Sequence, residues 1–389
     1  MNLLAKASDT IKRIVFGGNV YNTSEFAGAF GDLGTLIPFV IGYIVVSKID
    51  PVGILVSLGI IKVFVGLRFK TPVPVQPMKI IGASAIANPG TISPAMVWGS
   101  GIFTAIVWAV LALSGAIELL NKITAKPVMR GIMLGLGISF IIEGLKMMSS
   151  QWVLAVLALV IAFFLLTSRR LPAMLALLLL GIIASLVLNP SLLGQLKQVS
   201  VHFRLPELVF DKLGWRELLL GALVLGVPQL PLTLGNAVLG IAAENNELFP
   251  DRPVTVRAVA LDHGLINVVS FAMGGIPVCH GAGGMAGHVR FGAKTGGALV
   301  ILGAILFLLG LFFSESILLL FNMIPLAIVG VILFFAGLEL ASIVWDIGTR
   351  KEDIYVLLFT TGIAIFNIGI AFAAGLALFY GLQRKVVRV

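Results

Sequence analysis

The residues that could do chemistry lie in four short stretches, each in strongly apolar surroundings. In the first, Gln76 and Lys79 stand among and just after Pro72, Pro74 and Pro77. An ammonium in an apolar segment is costly and faces a cavity or a partner. Lys79 can therefore offset an anionic substrate or neutralise an acid; the structural alternative is snorkelling to an interface. Gln76 can donate to an oxyanion, or cap the backbone N–H of Lys79. In the second, Gly275-Ile276-Pro277-Val278-Cys279-His280-Gly281-Ala282-Gly283-Gly284, small residues let an anion approach backbone N–H groups. His280 beside them can donate or titrate, or simply be packed and hydrogen-bonded. The run lacks the Lys-Ser/Thr ending of a nucleotide loop.

The third stretch is Ala29-Phe30-Gly31-Asp32-Leu33-Gly34-Thr35. Asp32 can take a proton, pair with Lys79 or bind a cation, and Gly31 and Gly34 permit close packing against a broken segment. The fourth is Gly226-Val227-Pro228-Gln229-Leu230-Pro231-Leu232-Thr233-Leu234-Gly235-Asn236. Gln229, Thr233 and Asn236 recur at i, i+4 and i+7, one helix face, where neutral donors suit an oxyanion that must bind and leave. Their structural alternative is hydrogen bonding between helices. Adjacent Asp262 and His263 do not face each other on a helix, so structural roles are expected. His288 and Arg290 read as a cytoplasmic end, and Glu118, Glu143 and Glu339 as structural. Cys279 has no assignable chemistry.

The elements around these stretches follow from the prolines. Pro72, Pro74 and Pro77 lack N–H groups and bias their predecessors away from helix. The chain from 71 therefore reads as extended, turning helical from Pro77, with Lys79 about one turn in. The pattern returns about two hundred residues later, where Pro74-Val75-Gln76-Pro77 lines up with Pro277-Val278-Cys279-His280. Two interrupted apolar segments at corresponding places in two halves point to a transporter binding site. A helix that starts inside a membrane also aims its positive end at an anion.

Composition sets the solvent. The chain of 389 residues is 59% hydrophobic and 12% charged, with mean hydropathy +1.08. Soluble domains are about a quarter charged, so this is an all-α polytopic membrane protein, since helices satisfy their own backbone in lipid. At ~20 residues per span the chain holds about fourteen segments and no sizeable soluble domain. The expected segments are 26–46, 51–67, 71–88, 94–120, 127–145, 152–167 and 172–188, then 217–243, 255–273, 275–291, 296–313, 316–341 (interrupted by Pro325), 354–367 and 368–383. Residues 1–25 are expected at the cytoplasmic surface without a cleavable-signal layout. Asn88-Pro89-Gly90 reads as a turn, and Arg169-Arg170 separates the sixth and seventh segments. Seven segments per half orient the halves oppositely: 1–188 is one inverted repeat, 189–216 a connector and 217–389 the other.

Of 27 basic residues, this layout leaves nineteen on the cytoplasmic side, six outside and two, Lys62 and Lys79, within segments. That bias predicts both termini cytoplasmic, in a cell (inner) membrane. It also explains the net charge of +9 better than nucleic acid does. A single cysteine excludes an internal disulfide framework and a Cys-based zinc site; no cofactor or metal is expected.

Phe30-Gly31-Asp32-Leu33-Gly34-Thr35, Pro72-Val73-Pro74-Val75-Gln76-Pro77-Met78-Lys79, Pro228-Gln229-Leu230-Pro231-Leu232-Thr233-Leu234-Gly235-Asn236 and Pro277-Val278-Cys279-His280-Gly281-Ala282-Gly283-Gly284 together resemble the molybdate transporters of plants and microbes, which belong with the sulfate permease (SulP) superfamily. The similarity covers essentially the whole chain. It implies the uracil-permease-like fold: a core domain of segments 1–4 and 8–11, a gate domain of segments 5–7 and 12–14, and a homodimer through the gate. Unlike many sulfate permeases, no STAS domain is expected before the end at Val389. The resemblance implies an alternating-access symporter for a tetrahedral dianion, molybdate or sulfate, held between the half-helices of segments 3 and 10. The substrate-binding residues would be Thr35, Gln76, Met78, Lys79, Gln229, Thr233, Asn236, His280, Gly281, Gly283 and Gly284, with Asp32 the proton-coupling acid. A dianion entering against a negative-inside potential costs about 2.3 kcal/mol per charge per 100 mV, which co-transported protons offset. The alternatives are a sulfate, bicarbonate or other small-anion transporter, a nucleobase carrier, and a membrane-embedded enzyme using Asp262, His263, His280 and His288. Against the enzyme stands the absence of a motif such as H-E-x-x-H.

Overall fold

The computed structural model describes residues 14–87, 90–165, 173–197 and 199–386. The expectations for 1–13, Asn88-Pro89 and Arg169-Arg170 lie outside the described residues. Ile14–Phe16 (β1) and Asn19–Tyr21 (β2) form a hairpin whose turn, Gly17-Gly18, is left-handed at both residues, the conformation tight hairpins require. Thr23–Ala29 (α1) starts where the Asn22 side chain accepts from the Glu25 N–H. Leu33–Val45 (α2) follows at a 45° bend. The expected single span 26–46 is thus broken, and Asp32 stands in the break rather than inside a helix.

Pro51–Phe69 (α3) has Asp50 as its N-cap and Pro51 at its first position, where a missing N–H costs nothing. The chain then runs extended into Gln76–Pro77 (β3), and Lys79–Ala87 (α4) begins only at Lys79. The helix was expected from Pro77 with Lys79 a turn inside. Pro77 stays extended because it is paired, and the next N–H, that of Met78, donates to the Pro277 carbonyl at 2.9 Å. Pro94–Leu113 (α5) and Lys126–Met148 (α6) come next. The expected segment 94–120 breaks at Gly115, which has φ +77°.

The helical run Trp215–Leu220, Gly221–Gly226, Val227–Leu232, Thr233–Leu239 and Gly240–Leu248 is α-helical except at its second and fourth pieces, which are π-helical. Pro228 and Pro231 cannot donate to the preceding turn, and π-turns absorb such missing bonds. Val256–Ala272 (α7), Val278–Cys279 (β4), Ala282–Arg290 (α8), Gly297–Phe313 (α9) and Leu326–Ser342 (α10) follow.

β3 and β4 pair antiparallel, Gln76 opposite Cys279 and Pro77 opposite Val278. Around them α3 packs on α9, α5 on α7, and α6 on α10. The last pair crosses closely: a Cβ on Gly137 would lie 2.8 Å from the Gly337 carbonyl, and one on Gly337 2.7 Å from that of Gly137. One apolar core draws on α2, α3, α4, α7, α8 and α9 with Val75 and Val278. A second draws on α6, α10 and the helices Lys351–Ala364 and Ile368–Gln383. Among the described residues, four helical stretches are long and apolar enough to cross a membrane: 51–69, 94–113, 126–165 and 297–322. Counting each bent pair as one span makes six.

Candidate functional site

The site forms where the two extended stretches end and their helices begin. α8 opens at Ala282 behind Gly281, with no side chain capping its first turn. That leaves positive helix-end potential and N–H groups for another partner. The Gln76 side chain lies across this turn. A Cβ on Gly281 would fall 2.6 Å from Gln76 Oε1 and 3.4 Å from Asn236 Nδ2, and one on Gly284 would fall 2.5 Å from Gln76 Nε2. A Cβ on Gly283 would strike the Phe140 ring at 2.3 Å. These three glycines let the Gln76 amide and the Phe140 ring lie directly against the first turn of α8.

The polar atoms at this place are unspent. Gln76 is fully buried, and neither its Oε1 nor its Nε2 has a hydrogen-bond partner among the described residues. Asn236 Oδ1 and Lys79 Nζ are in the same condition. The Lys79 ammonium sits 4.0 Å from the centroid of the Phe140 ring, a cation–π contact that partly replaces water. Buried polar groups without partners cost free energy and call for an explanation. Lys79 and Ile80 also line a cleft of about 210 Å³ with Leu136, Ser139, Pro228 and Leu232.

The start of α4 is capped instead. Gln229 Oε1 accepts from the Ile80 N–H at 2.9 Å and from that of Ile81 at 3.4 Å, while Gln229 Nε2 donates to Thr233 Oγ1 at 3.0 Å. The shared face of Gln229 and Thr233 is thus present, but Gln229 spends itself on α4. The cap on the Lys79 N–H expected of Gln76 is not made; Gln229 takes the next two N–H groups instead. Met78 is a core side chain and its N–H is taken by Pro277, so neither group is free for a ligand. Thr35 is buried in the first turn of α2, the helix that packs on β3 and α4.

His280 does not open onto this space. Its Nδ1 lies 2.8 Å from the Pro74 carbonyl, its Nε2 2.9 Å from Asp262 Oδ2, and its backbone N–H donates to His263 Nε2 at 3.2 Å. His280 was expected as a direct ligand; here both ring nitrogens and the amide are committed within the protein. Asp262 and His263 do not pair with each other, yet α7 brings both to His280. Sequence spacing could not show that convergence across separate elements.

Asp32 pairs with Lys62, not Lys79. Lys62 Nζ donates to Asp32 Oδ2 at 2.8 Å, and both side chains are fully buried. His288, read from the sequence as part of a cytoplasmic end, is fully buried; its Nδ1 donates to the Gly28 carbonyl at 2.7 Å and its Nε2 stands 3.5 Å from Asp32 Oδ2. Gly31 packs on the second broken segment, a Cβ there meeting the Gly287 carbonyl at 2.3 Å. Lys62 was visible as an intramembrane lysine, but nothing in the sequence tied it to Asp32, thirty residues away. Phe140 carried no signal; it looks like any other core phenylalanine.

Set against known proteins, the chain matches the family described as "Molybdate transporter of MFS superfamily" over residues 24–140 and 221–340. It is 30% identical to Molybdate transporter 2 of Arabidopsis thaliana, with 94% of this chain and 88% of that protein covered. It is 30% identical to Molybdate transporter 1 of the same plant (90% and 86% covered), and 28% identical to Molybdate transporter 1 of Chlamydomonas reinhardtii (91% and 90%). In fold it is similar to the transmembrane domain of a cyanobacterium bicarbonate transporter, with TM-score 0.56, 16% identity, and 95% of this chain and 99% of that one covered. It is also similar to the murine Solute Carrier 26 family member A9 anion transporter in the inward-facing state, with TM-score 0.63, 11% identity, and 95% and 69% covered.

Proposed function

The chain belongs to the molybdate transporter family and is an integral, multi-pass membrane protein, and from that premise we propose that it carries molybdate across the membrane by alternating access. It is a transporter and not an enzyme. The observation that carries the proposal is the uncapped start of α8, faced by Asn236 and by the amide of Gln76, which has no partner among the described residues, with the Lys79 ammonium on the Phe140 ring that Gly283 also meets. A tetrahedral dianion satisfies all of them at once: backbone N–H groups and the Gln76 amide donate, and Lys79 supplies a positive charge. Gln229 and Thr233 serve by holding the start of α4, which sets where Lys79 points.

The inverted-repeat reading is part of this proposal. Its support is the antiparallel pairing of β3 with β4, together with the two matched stretches of similar length, 24–140 and 221–340, that begin at corresponding places in the halves. The division into core and gate is part of the same proposal. The Lys79 cleft is lined by Ile80 and Pro228 from the expected core segments and by Leu136 and Ala364 from the expected gate segments. In an elevator-like cycle the core slides against the gate along that cleft and takes the anion with it. We keep fourteen crossings, both termini cytoplasmic and a homodimer through the gate within the proposal, and proton co-entry as the means of offsetting the charge.

Isothermal titration of the purified protein with molybdate, tungstate and sulfate at fixed pH and ionic strength tests the assignment. Tight binding of molybdate and tungstate with weak sulfate is the expected result. Tight sulfate binding with weak molybdate moves the substrate to sulfate, and no binding of any oxyanion removes the reading. Uptake into vesicles that ignores an imposed pH gradient removes proton co-entry.

A further inference from the structure

His280 lies between two acceptors. The Pro74 carbonyl stands 2.8 Å from its Nδ1 and a carboxylate oxygen of Asp262 stands 2.9 Å from its Nε2. A carbonyl has no proton to give, so Nδ1 must carry one. At 2.9 Å a proton must also lie between Nε2 and Oδ2, because two lone pairs do not approach that closely without one. Arg68, on α3, forms an ion pair with the other Asp262 oxygen at 3.4 Å, and this pairing of charges assigns the shared proton to the ring. All of this is sealed: the side chains of His280 and Asp262 are fully buried.

The groups facing His280 agree with this. From α7 come Asp262 and His263; the latter is neutral, since its Nδ1 bonds the Val259 carbonyl at 2.9 Å and its Nε2 accepts the His280 amide. From α3 come Arg68, acting through Asp262, and the Phe69 ring, edge-on at 6.0 Å. The buried pair Asp32–Lys62 makes no such demand. Lys62 already donates to the carboxylate at 2.8 Å, and His288 at 3.5 Å needs only the proton it gives to Gly28. Protonating Asp32 would strand Lys62 as an unpaired buried cation.

We infer that the His280–Asp262 pair is a buried proton-binding site, and that this site, rather than Asp32, holds the proton that moves with the anion. The second half of this statement rests on the transport reading above; the first does not. When the pair loses its proton to water, His280 becomes a neutral imidazole with one N–H. It can then keep either the Pro74 bond or the Asp262 bond, and the other contact becomes a repulsion between lone pairs. Pro74 leads into Gln76, and His280 precedes Gly281, so the proton fastens together the two stretches that frame the anion site. Its positive charge also lies one residue from the start of α8. Arg68 is 38% exposed, so one side chain separates Asp262 from water. Proton and anion therefore bind with mutual reinforcement.

The test uses the full chain labelled with ¹⁵N-histidine and read by NMR across pH; with four histidines the spectrum can be assigned. Asp262→Asn is the companion variant, because its amide can donate to Nε2 and keep the geometry without the proton. In the unmutated protein His280 should carry protons on both ring nitrogens at neutral pH, and in Asp262→Asn on Nδ1 alone. Molybdate affinity of the unmutated protein should fall about tenfold per pH unit above the midpoint at which the pair loses its proton, as one linked proton requires. The Asp262→Asn affinity should be flat over the same range. A singly protonated His280 at every pH where the protein is folded overturns the site. A flat profile in the unmutated protein, or an undiminished slope in Asp262→Asn, overturns its coupling to the anion. Should molybdate not bind at all, the transport reading fails, and the ring nitrogens still decide the proton site.

Discussion

Replacing Gln229 separates a cap from a ligand. Its Oε1 accepts two buried N–H groups at the start of α4, one at 2.9 Å and one long at 3.4 Å. Gln229→Ala removes the acceptor and leaves both donors without a partner in a nearly water-free place, since Gln229 is 1% exposed. A buried donor left unsatisfied costs about 1–3 kcal/mol; counting the short bond fully and the long one partly gives roughly 2–4 kcal/mol. Gln229→Glu keeps an acceptor for both N–H groups, and a carboxylate at a helix start is favourable. It loses the donor to Thr233 and adds a negative charge near the anion, a repulsion of a few kcal/mol at an effective dielectric of about 20. The assay is thermal unfolding of the purified protein in detergent, with molybdate titrated in. The alanine variant should melt well below the unmutated protein and bind weakly. The glutamate variant should melt close to it and bind no molybdate. An alanine variant that melts normally yet fails to bind would make Gln229 a direct ligand; one that melts and binds normally would refute the reasoning altogether.

Other substitutions probe separate parts of the site. Gly281→Ala and Gly284→Ala drive a methyl group to 2.6 Å and 2.5 Å from the Gln76 amide, and each should lower molybdate affinity at least tenfold in titration while leaving the helical circular dichroism signal unchanged. Lys79→Met should keep the fold, because Lys79 Nζ makes no hydrogen bond among the described residues, and lose oxyanion binding; unchanged affinity would remove Lys79 from the site. Asp32→Ala strands the buried Lys62 and should cost about 3–5 kcal/mol, whereas Asp32→Leu combined with Lys62→Met should recover much of that loss in melting temperature. The exposed pair Glu207–Lys212 serves as a control. Its hydrogen bond to Lys212 holds the Glu207 carboxyl below the usual carboxylate range, so any contribution to stability is present at neutral pH and fades as pH falls through that lowered value. Glu207→Gln should leave the neutral-pH melting temperature where it was, as screened surface pairs do.

The features legible along the chain are local or compositional. Low charge and high hydropathy required helices in a membrane, because only there does the backbone satisfy itself. Prolines at 72, 74 and 77 and at 277 required extended chain, and the small residues from Gly281 marked where a helix could meet an anion. Gln229 and Thr233 shared a face because helical spacing demands it. The tertiary structure decided every partnership between elements. Whether Asp32 meets Lys79 or Lys62, whether Gln76 or Gln229 caps α4, and whether His280 faces a ligand or Asp262 all depend on which helices lie side by side. No spacing along the chain encodes that. The structure also decided which polar groups remain unspent. Gln76, Asn236 and Lys79 stand out only once every competing partner has been placed, because an unsatisfied group is a property of its surroundings and not of its residue type.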